Sequence, residues 1–201
     1  MRLDPDTLAE FTDQEVVVLA QQGAEAAYRE LITRYQRPVF ALIYRMVRDR
    51  ELAEDLAQDT FIKVLNHIDS YRPEHKFSSW IFKIANNAAI DHLRRKQLNT
   101  LSLEGAPDAL TADRQEATAL QVSGGEESAL DELEARELGT QIERAIGRLR
   151  PEYRACIIMR HVEGRPYEEI AAALTLPLGT VKTYIHRARN ELRVLLAESR
   201  E

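Results

Sequence analysis

The segment that most limits what this chain can become runs from Tyr167 to Leu195, YEEIAAALTLPLGTVKTYIHRARNELRVL. Val181, Ile185, Ala188, Leu192 and Leu195 recur at steps of three and four, so one stripe of a helix can be buried while the rest stays in water. Lys182, Thr183, His186, Arg187 and Asn190 then point outward. Upstream, Ile170, Ala171 and Leu174 give a short first helix its buried face, and Thr175 to Gly179, with Pro177 and Gly179, supplies a turn. The spacing predicts a helix-turn-helix, two helices crossing steeply with the N-terminal half of the second offered to a DNA major groove. Arg and Lys there neutralise phosphates or fork onto guanine, while Thr, His and Asn reach base edges. The same pattern also suits a basic, solvated face on a small helical bundle, because short helix-turn-helix patterns recur by chance.

A net charge of -6 argues against a nucleic-acid binder until it is divided along the chain. Residues 1–96 hold 14 basic against 15 acidic residues, 97–136 hold 2 against 9, and 137–201 hold 11 against 9. The acidity is therefore confined to the middle, and the charge asymmetry between segments is the informative quantity. No apolar run approaches the roughly 20 residues that span a membrane, so no membrane insertion is expected. The first residues carry Asp4, Asp6, Glu10 and Asp13 with no apolar core segment, which speaks against a signal peptide. The single cysteine, Cys156, lies in the apolar run ACIIM; one cysteine allows neither an intrachain disulfide nor a cysteine-cluster zinc site. A reducing cytoplasm is the expected location.

Taken in order, Thr12 and Glu15 make a capping box, which starts a helix at Asp13 that carries Val16, Val17, Leu19 and Ala20 toward Gly23. A longer helix from Ala24 to Met46 buries Tyr28, Leu31, Ile32, Tyr35, Val39, Leu42, Ile43 and Met46, with Pro38 predicting a kink or a break into two helices. Asp49 caps a helix from Glu51 to Ile68 whose Leu52, Leu56, Val64 and Leu65 face inward, while Glu51, Asp55 and Asp59 form an acidic stripe at steps of four. Like charges so spaced repel slightly, so the stripe is either solvated or a docking face for a basic partner. After a loop from Asp69 to Phe77, a helix from Ser78 to Lys96 has Ile81, Ile84, Ala85 and Ala88 as its core stripe. Trp80, Lys83, Asn87, Asp91 and Arg94 lie on or beside another face. Aromatic groups beside cations and amides are suited to stacking and clasping an unpaired base; Trp80 and Phe82 equally suit plain core, with Arg94, Arg95 and Lys96 merely favouring the helix's negative end. Residues 97–128 lack a sustained apolar period and read as a long, flexible, acidic linker, with at most transient helix near Ala112 to Leu120. A helix from Leu130 to Leu149, a second beginning at Pro151 and ending near Gly164, and the helix-turn-helix complete a four-helix unit. The expected fold is all-α: an N-terminal helical bundle (1–96), the linker (97–128) and a C-terminal four-helix helix-turn-helix domain (129–201).

Three stretches, AEDLAQDTFIKV (53–64), FSSWIFKIANNAAIDHLRR (77–95) and YEEIAAALTLPLGTVKTYIHRARNEL (167–192), in this order and at these spacings, resemble the extracytoplasmic-function (ECF) sigma factors, two-domain promoter-recognition subunits of bacterial RNA polymerase. The resemblance implies that Asp55, Leu56, Gln58 and Asp59 contact the clamp helices of the largest polymerase subunit, raising the docking reading of the acidic stripe. It implies that the loop at 70–77 and the following helix open the minus-10 element and hold a flipped non-template base, with Arg72, Lys76, Trp80, Lys83, Asn87, Arg94 and Arg95 at the DNA. It places Thr180, Lys182, Thr183, His186, Arg187 and Arg189 at or near the minus-35 duplex, Arg189 fitting phosphate better than base. The acidic linker would thread toward the polymerase active-site channel and RNA exit path. Control by an anti-sigma factor is typical of the family, and no catalysis, cofactor or metal is implied.

Two departures stand out. Pro166 and Pro177 occupy positions where family members often carry Ser or Thr caps, a loss of about 1 kcal/mol per helix end if nothing replaces the oxygen. Tyr184 and His186 fall at variable positions, so the DNA sequence read does not follow from the resemblance. A regulator that binds an operator by itself shares the helix-turn-helix but leaves Trp80 and Asn87 unexplained. An enzyme with Glu54, Asp55, Asp59 and His67 as metal ligands would need a repeated Glu-x-x-His pair on another helix, and the sequence has none.

Overall fold

In the computed structural model, described here for residues 5–103 and 129–198, a capping box fixes where the first long-range contacts begin. Thr12 N donates to Glu15 Oε2 at 2.7 Å and Glu15 N donates to Thr12 Oγ1 at 3.4 Å, which starts α2 (Asp13–Gln21) after a short α1 (Pro5–Ala9). Asp13 then binds α3 (Glu25–Val47): the Tyr35 hydroxyl donates to its Oδ2, and Arg34 Nη1 reaches its Oδ1 at 2.9 Å. Burial and the carboxylate beside it push the Tyr35 phenol upward, so it remains a proton donor.

α3 is the axis of the N-terminal half, burying Ala27, Leu31, Tyr35, Val39, Leu42, Ile43 and Met46. Pro38 does not break it: the helix is assigned without interruption from Glu25 to Val47. Proline removes one donor, but the buried stripe continues on both sides, with Leu31 and Tyr35 before it and Val39 and Leu42 after, so packing holds both segments in one helix. Asp49 caps α4 (Arg50–His67), its Oδ1 accepting from Leu52 N at 3.1 Å. The buried line of α4 is Ala53, Ala57, Thr60 and Val64, with the expected Leu52, Leu56 and Leu65 half-buried at its flanks. Small side chains at the centre let α4 approach α3 closely, and the Thr60 hydroxyl is satisfied by donating to Leu56 O at 2.8 Å.

A 3₁₀ turn (Ile68–Ser70) and a short loop lead into α5 (Phe77–Leu103), which continues past Lys96, where the sequence pattern ended it. The core stripe of α5 is also displaced from the expected one. Phe82, Asn86 and Ala89 are buried together with Ile81 and Ala85, whereas Ile84 and Ala88 are only half-buried. The reason is tertiary: a C-terminal helix, α8 (Tyr167–Leu174), packs along α5, while α3 packs on it from within the N-terminal half, with Tyr35 and Phe82 ring centroids 6.3 Å apart. The expected transient helix near Ala112 to Leu120 lies outside the described residues.

The C-terminal half begins with α6 (Ala129–Arg148), followed by α7 (Pro151–Ile157), with Pro151 at its first position, and a π-helical turn (Ile158–Val162). α8 then ends at Thr175 and α9 (Leu178–Glu198) follows. Pro166 caps α8 without a side-chain hydrogen bond, and the turn is made by Thr175 in the left-handed region at φ 55 and ψ 44. Val181, Ile185 and Ala188 face inward from α9, with Ala188 packing against Leu149, Tyr153 and Ile157. Tyr153 and Tyr184 meet with ring centroids 5.1 Å apart. Cys156 is fully buried, and burial first, then the Glu152 charge, pushes its thiol up to about 12, so it is inert packing.

Arg154 is the exceptional core residue. Only 8% exposed, it faces no carboxylate but donates to three backbone carbonyls: Met46 at the end of α3, Gly147 near the end of α6, and Leu149 at 3.0 Å just beyond it. A guanidinium set at two helix C-termini meets the negative ends of both dipoles. Burial, then the Arg48 charge, lowers its pKa to about 10, which leaves it charged at neutral pH. Replacing Arg154 by Leu should cost about 2–4 kcal/mol in chemical denaturation, because buried carbonyls lose a charged donor. Thr175→Asn should instead gain roughly 0.5–1 kcal/mol in the same measurement, since a β-branched residue is strained in the left-handed region and Asn tolerates it.

Candidate nucleic-acid and partner interfaces

The first surface is the outer side of α4. Asp55, Gln58 and Asp59 are exposed on consecutive turns, while Leu56 is half-buried against the core and so anchors the helix beneath them. Glu54 is held by Arg50 at 3.0 Å. One turn beyond Asp59, Ile62 is 55% exposed. Sequence periodicity passed over Ile62, since Val64 and Leu65 carry the inward pattern there; a large apolar side chain in water beside two carboxylates makes the face amphipathic.

The second surface is built from the loop before α5 and one side of that helix. Gln14 Nε2 donates to Pro73 O at 3.1 Å, Gln21 Nε2 to Ile68 O at 2.9 Å, and the Tyr71 hydroxyl to His75 O at 2.5 Å, so α2 and an internal brace fix the loop. Trp80 is half-buried between Tyr71 and Phe77, with ring centroids at 5.5 and 5.7 Å. Its rotamer is held by two other rings, which preorganises one indole surface. Lys83 is half-buried and Asn87 exposed at the following turns of the same helix, and Arg72 and Arg95 are exposed. The neighbouring Asn86 is different: 1% exposed, its Oδ1 has no hydrogen-bond partner.

The third surface is the N-terminal half of α9. Lys182, Thr183, His186, Arg187 and Arg189 are exposed and Thr180 is half-buried. The Thr183 hydroxyl donates to Gly179 O at 2.9 Å, which leaves its acceptor side outward. Arg189 lies against His161 of the π turn, Nε 3.3 Å from the ring Nε2.

Two of the expected DNA contacts are already occupied. Lys76 Nζ is 2.5 Å from Glu169 Oε1 on α8, and Arg94 Nη2 is 2.9 Å from Glu152 Oε1 on α7. Neither acid was marked by sequence pattern, because both pairings join residues distant in the chain. Among the described residues no group of three or more His, Cys, Asp or Glu side chains could hold a metal ion, and Glu54, Asp55, Asp59 and His67 form no such group. No helix among them is long and apolar enough to cross a membrane.

The family model "Sigma-70 region 2" matches residues 31–98, covering α4 and most of α5, and "Sigma-70, region 4" matches residues 139–192, covering the helix-turn-helix. Together they define a promoter-recognition factor of the sigma-70 class. The chain is 32% identical over 179 residues to the ECF RNA polymerase sigma factor SigW of Bacillus subtilis, covering 89% of this chain and 93% of that one. It is 34% identical over 185 residues to the ECF RNA polymerase sigma-E factor of Escherichia coli, covering 91% and 93%. The fold matches that of RpoE from Bartonella quintana, solved with the anti-sigma factor NepR, at a TM-score of 0.62 and 24% identity over 85% of this chain and 96% of that one. The chain belongs to the ECF RNA polymerase sigma factors, and is thus a non-enzymatic transcription-initiation factor.

His161 supplies a pH test of the α9 surface. Partial burial, then the charges of Arg189 and Arg160, lower its pKa from the ordinary value of 6.5, so the folded state disfavours its protonation. Stability is unaffected above that ordinary value and falls as the pH drops through it toward the lowered one. Thermal melts from about pH 7.5 to about pH 5.5 should therefore show a smaller loss of Tm in His161→Gln than in the parent.

Proposed function

We propose that each of the three surfaces performs one step of promoter engagement. Asp55, Gln58 and Asp59, positioned by Leu56, dock on the basic clamp helices of the largest subunit of core RNA polymerase, with Ile62 adding an apolar contact. Arg72, Lys76, Trp80, Lys83, Asn87, Arg94 and Arg95 engage the minus-10 element, Trp80 and Asn87 capturing an extruded base and the cations holding the strand. Thr180, Lys182, Thr183, His186, Arg187 and Arg189 lie on the minus-35 duplex. The observation that carries this reading is that α4, α5 and α9 each bury an apolar side and leave polar side chains of these identities in water.

Division of the chain into 1–96, 97–128 and 129–201 belongs to the same proposal. Two DNA-binding units on one chain make the second contact effectively intramolecular, and the polymerase fixes their spacing. Capture of extruded bases offsets an unstacking cost of a few kcal/mol. Work beside the polymerase implies a cytoplasmic location. An anti-sigma factor is the proposed restraining partner, supported by the fold shared with the NepR-bound RpoE.

The test adds the purified chain to bacterial core RNA polymerase with a library of promoter fragments and maps new start sites. Asp59→Lys or Asp55→Ala should weaken core binding in a pull-down and lose initiation with it. Asn87→Ala should keep core binding and lose open-complex formation. Lys182→Ala with Arg187→Ala should lower minus-35-dependent initiation by roughly 5- to 100-fold, the scale of one good base contact. Tight duplex binding by the chain alone, with no core-dependent start sites, would instead identify an operator-binding regulator.

A further inference from the structure

We infer that the free chain masks its own minus-10 surface, the carboxylates of the C-terminal half occupying cations with which the N-terminal half holds DNA. This rests on the proposed DNA-binding roles of Lys76 and Arg94. Three ion pairs cross between the halves among the described residues: Lys76–Glu169 at 2.5 Å, Arg94–Glu152 at 2.9 Å and Arg45–Glu163 at 3.6 Å. All three have the same polarity, with the cation on the N-terminal half and the carboxylate on the C-terminal half. That is the polarity a DNA strand would present, so Glu152 and Glu169 stand where phosphates would bind.

The acids are built into their helices rather than loosely exposed. The Glu169 side chain is 17% exposed and the Glu152 side chain 23%, against 69% and 58% for the Lys76 and Arg94 side chains they hold. Glu169 is fixed from behind by Arg165 at 3.1 Å, and the Arg165 guanidinium sits 3.9 Å from the centre of the Phe82 ring on α5. One buried cluster continues across the contact, from Phe82 on α5 to Ile170 and Ala173 on α8.

The contact is nonetheless imperfect, as a releasable one should be. Asn86 lies one turn beyond Phe82 on the same side of α5, and its buried Oδ1 has no partner; the buried Nε of Arg165 has none either. Both groups regain hydrogen bonds to water when α8 leaves α5, which favours release. Docking of the two halves on polymerase, at a spacing set by the promoter, would then expose Lys76 and Arg94 together.

The experiment uses the full chain with dyes on cysteines introduced at the exposed Lys63 and Ala197; buried Cys156 stays unlabelled. Energy transfer reports the distance between the halves, and fluorescence anisotropy reports binding of a labelled 12-nucleotide single-stranded DNA of mixed sequence. Glu152→Gln with Glu169→Gln should lower the transfer efficiency and tighten DNA binding at least fivefold beyond Glu10→Gln with Glu168→Gln, which changes net charge equally at exposed positions. The exchanged pair, Arg94→Glu with Glu152→Arg, should keep the high transfer of the parent, because the neighbouring Arg150 is exposed and can turn away; this separates loss of the contact from loss of the fold. Unchanged transfer in the Gln pair, or a gain in DNA binding no larger than that of the control pair, overturns the inference. Core-dependent initiation by the same variants separates the two questions: its absence in the parent refutes the sigma roles assigned above, whereas the transfer signal still judges the contact.

Discussion

A single buried cation, Arg154, ties the end of α3 to the end of α6 and so joins the two halves of this chain. Among the described residues it has no counter-ion; it is stabilised by carbonyls that helix geometry leaves unpaired at the ends of α3 and α6. Because one carbonyl belongs to the N-terminal half and two to the C-terminal half, the side chain couples how α6 and α7 pack to where α3 ends. The bonds to Gly147 and Leu149 persist whatever the N-terminal half does, so the residue remains partly satisfied if the halves separate. A carboxylate partner in either half would have made that separation far more costly, since opening would leave a buried charge unpaired.

Local chemistry made much of the architecture readable from the residues. The Thr12–Glu15 box, Asp49 as a cap and Pro151 at the start of α7 are decided within four residues, and each is found where the pattern put it. The inward stripe of α9 follows equally from spacing, because Val181, Ile185 and Ala188 lie on one side of an uninterrupted helix. Pro38 shows the opposite case: the break into two helices does not occur, because packing continues along α3 on both sides of it.

The unreadable part is what other elements do to a face. On α5 the apolar period marked Ile84 and Ala88, but with α3 and α8 both packed on the helix the buried residues include Phe82, Asn86 and Ala89. For the same reason the candidate surfaces were partly legible. The polar groups of α4 and α9 stand in water as their spacing implied, whereas the partners of Lys76 and Arg94 lie 93 and 58 residues away in the chain. Thr175 was also hidden, since a glycine or asparagine would normally mark a left-handed turn residue and the nearby Gly179 offered a more obvious candidate.

The π turn at Ile158–Val162 sets the register of everything that follows it. A π turn accommodates one residue more than an α turn would, and such bulges enter helices as single-residue insertions. Wound as a regular α turn, the same residues would pass the surplus one downstream and rotate the chain that follows by about 100°. Glu163 would swing away from Arg45, and α8 would no longer present Glu169 toward the loop before α5. The helix-turn-helix packs on α5 through α8 and on α7 through α9, so such a rotation would aim it elsewhere and change both contacts. The winding of this one turn therefore sets which side of the DNA-reading unit meets its neighbour.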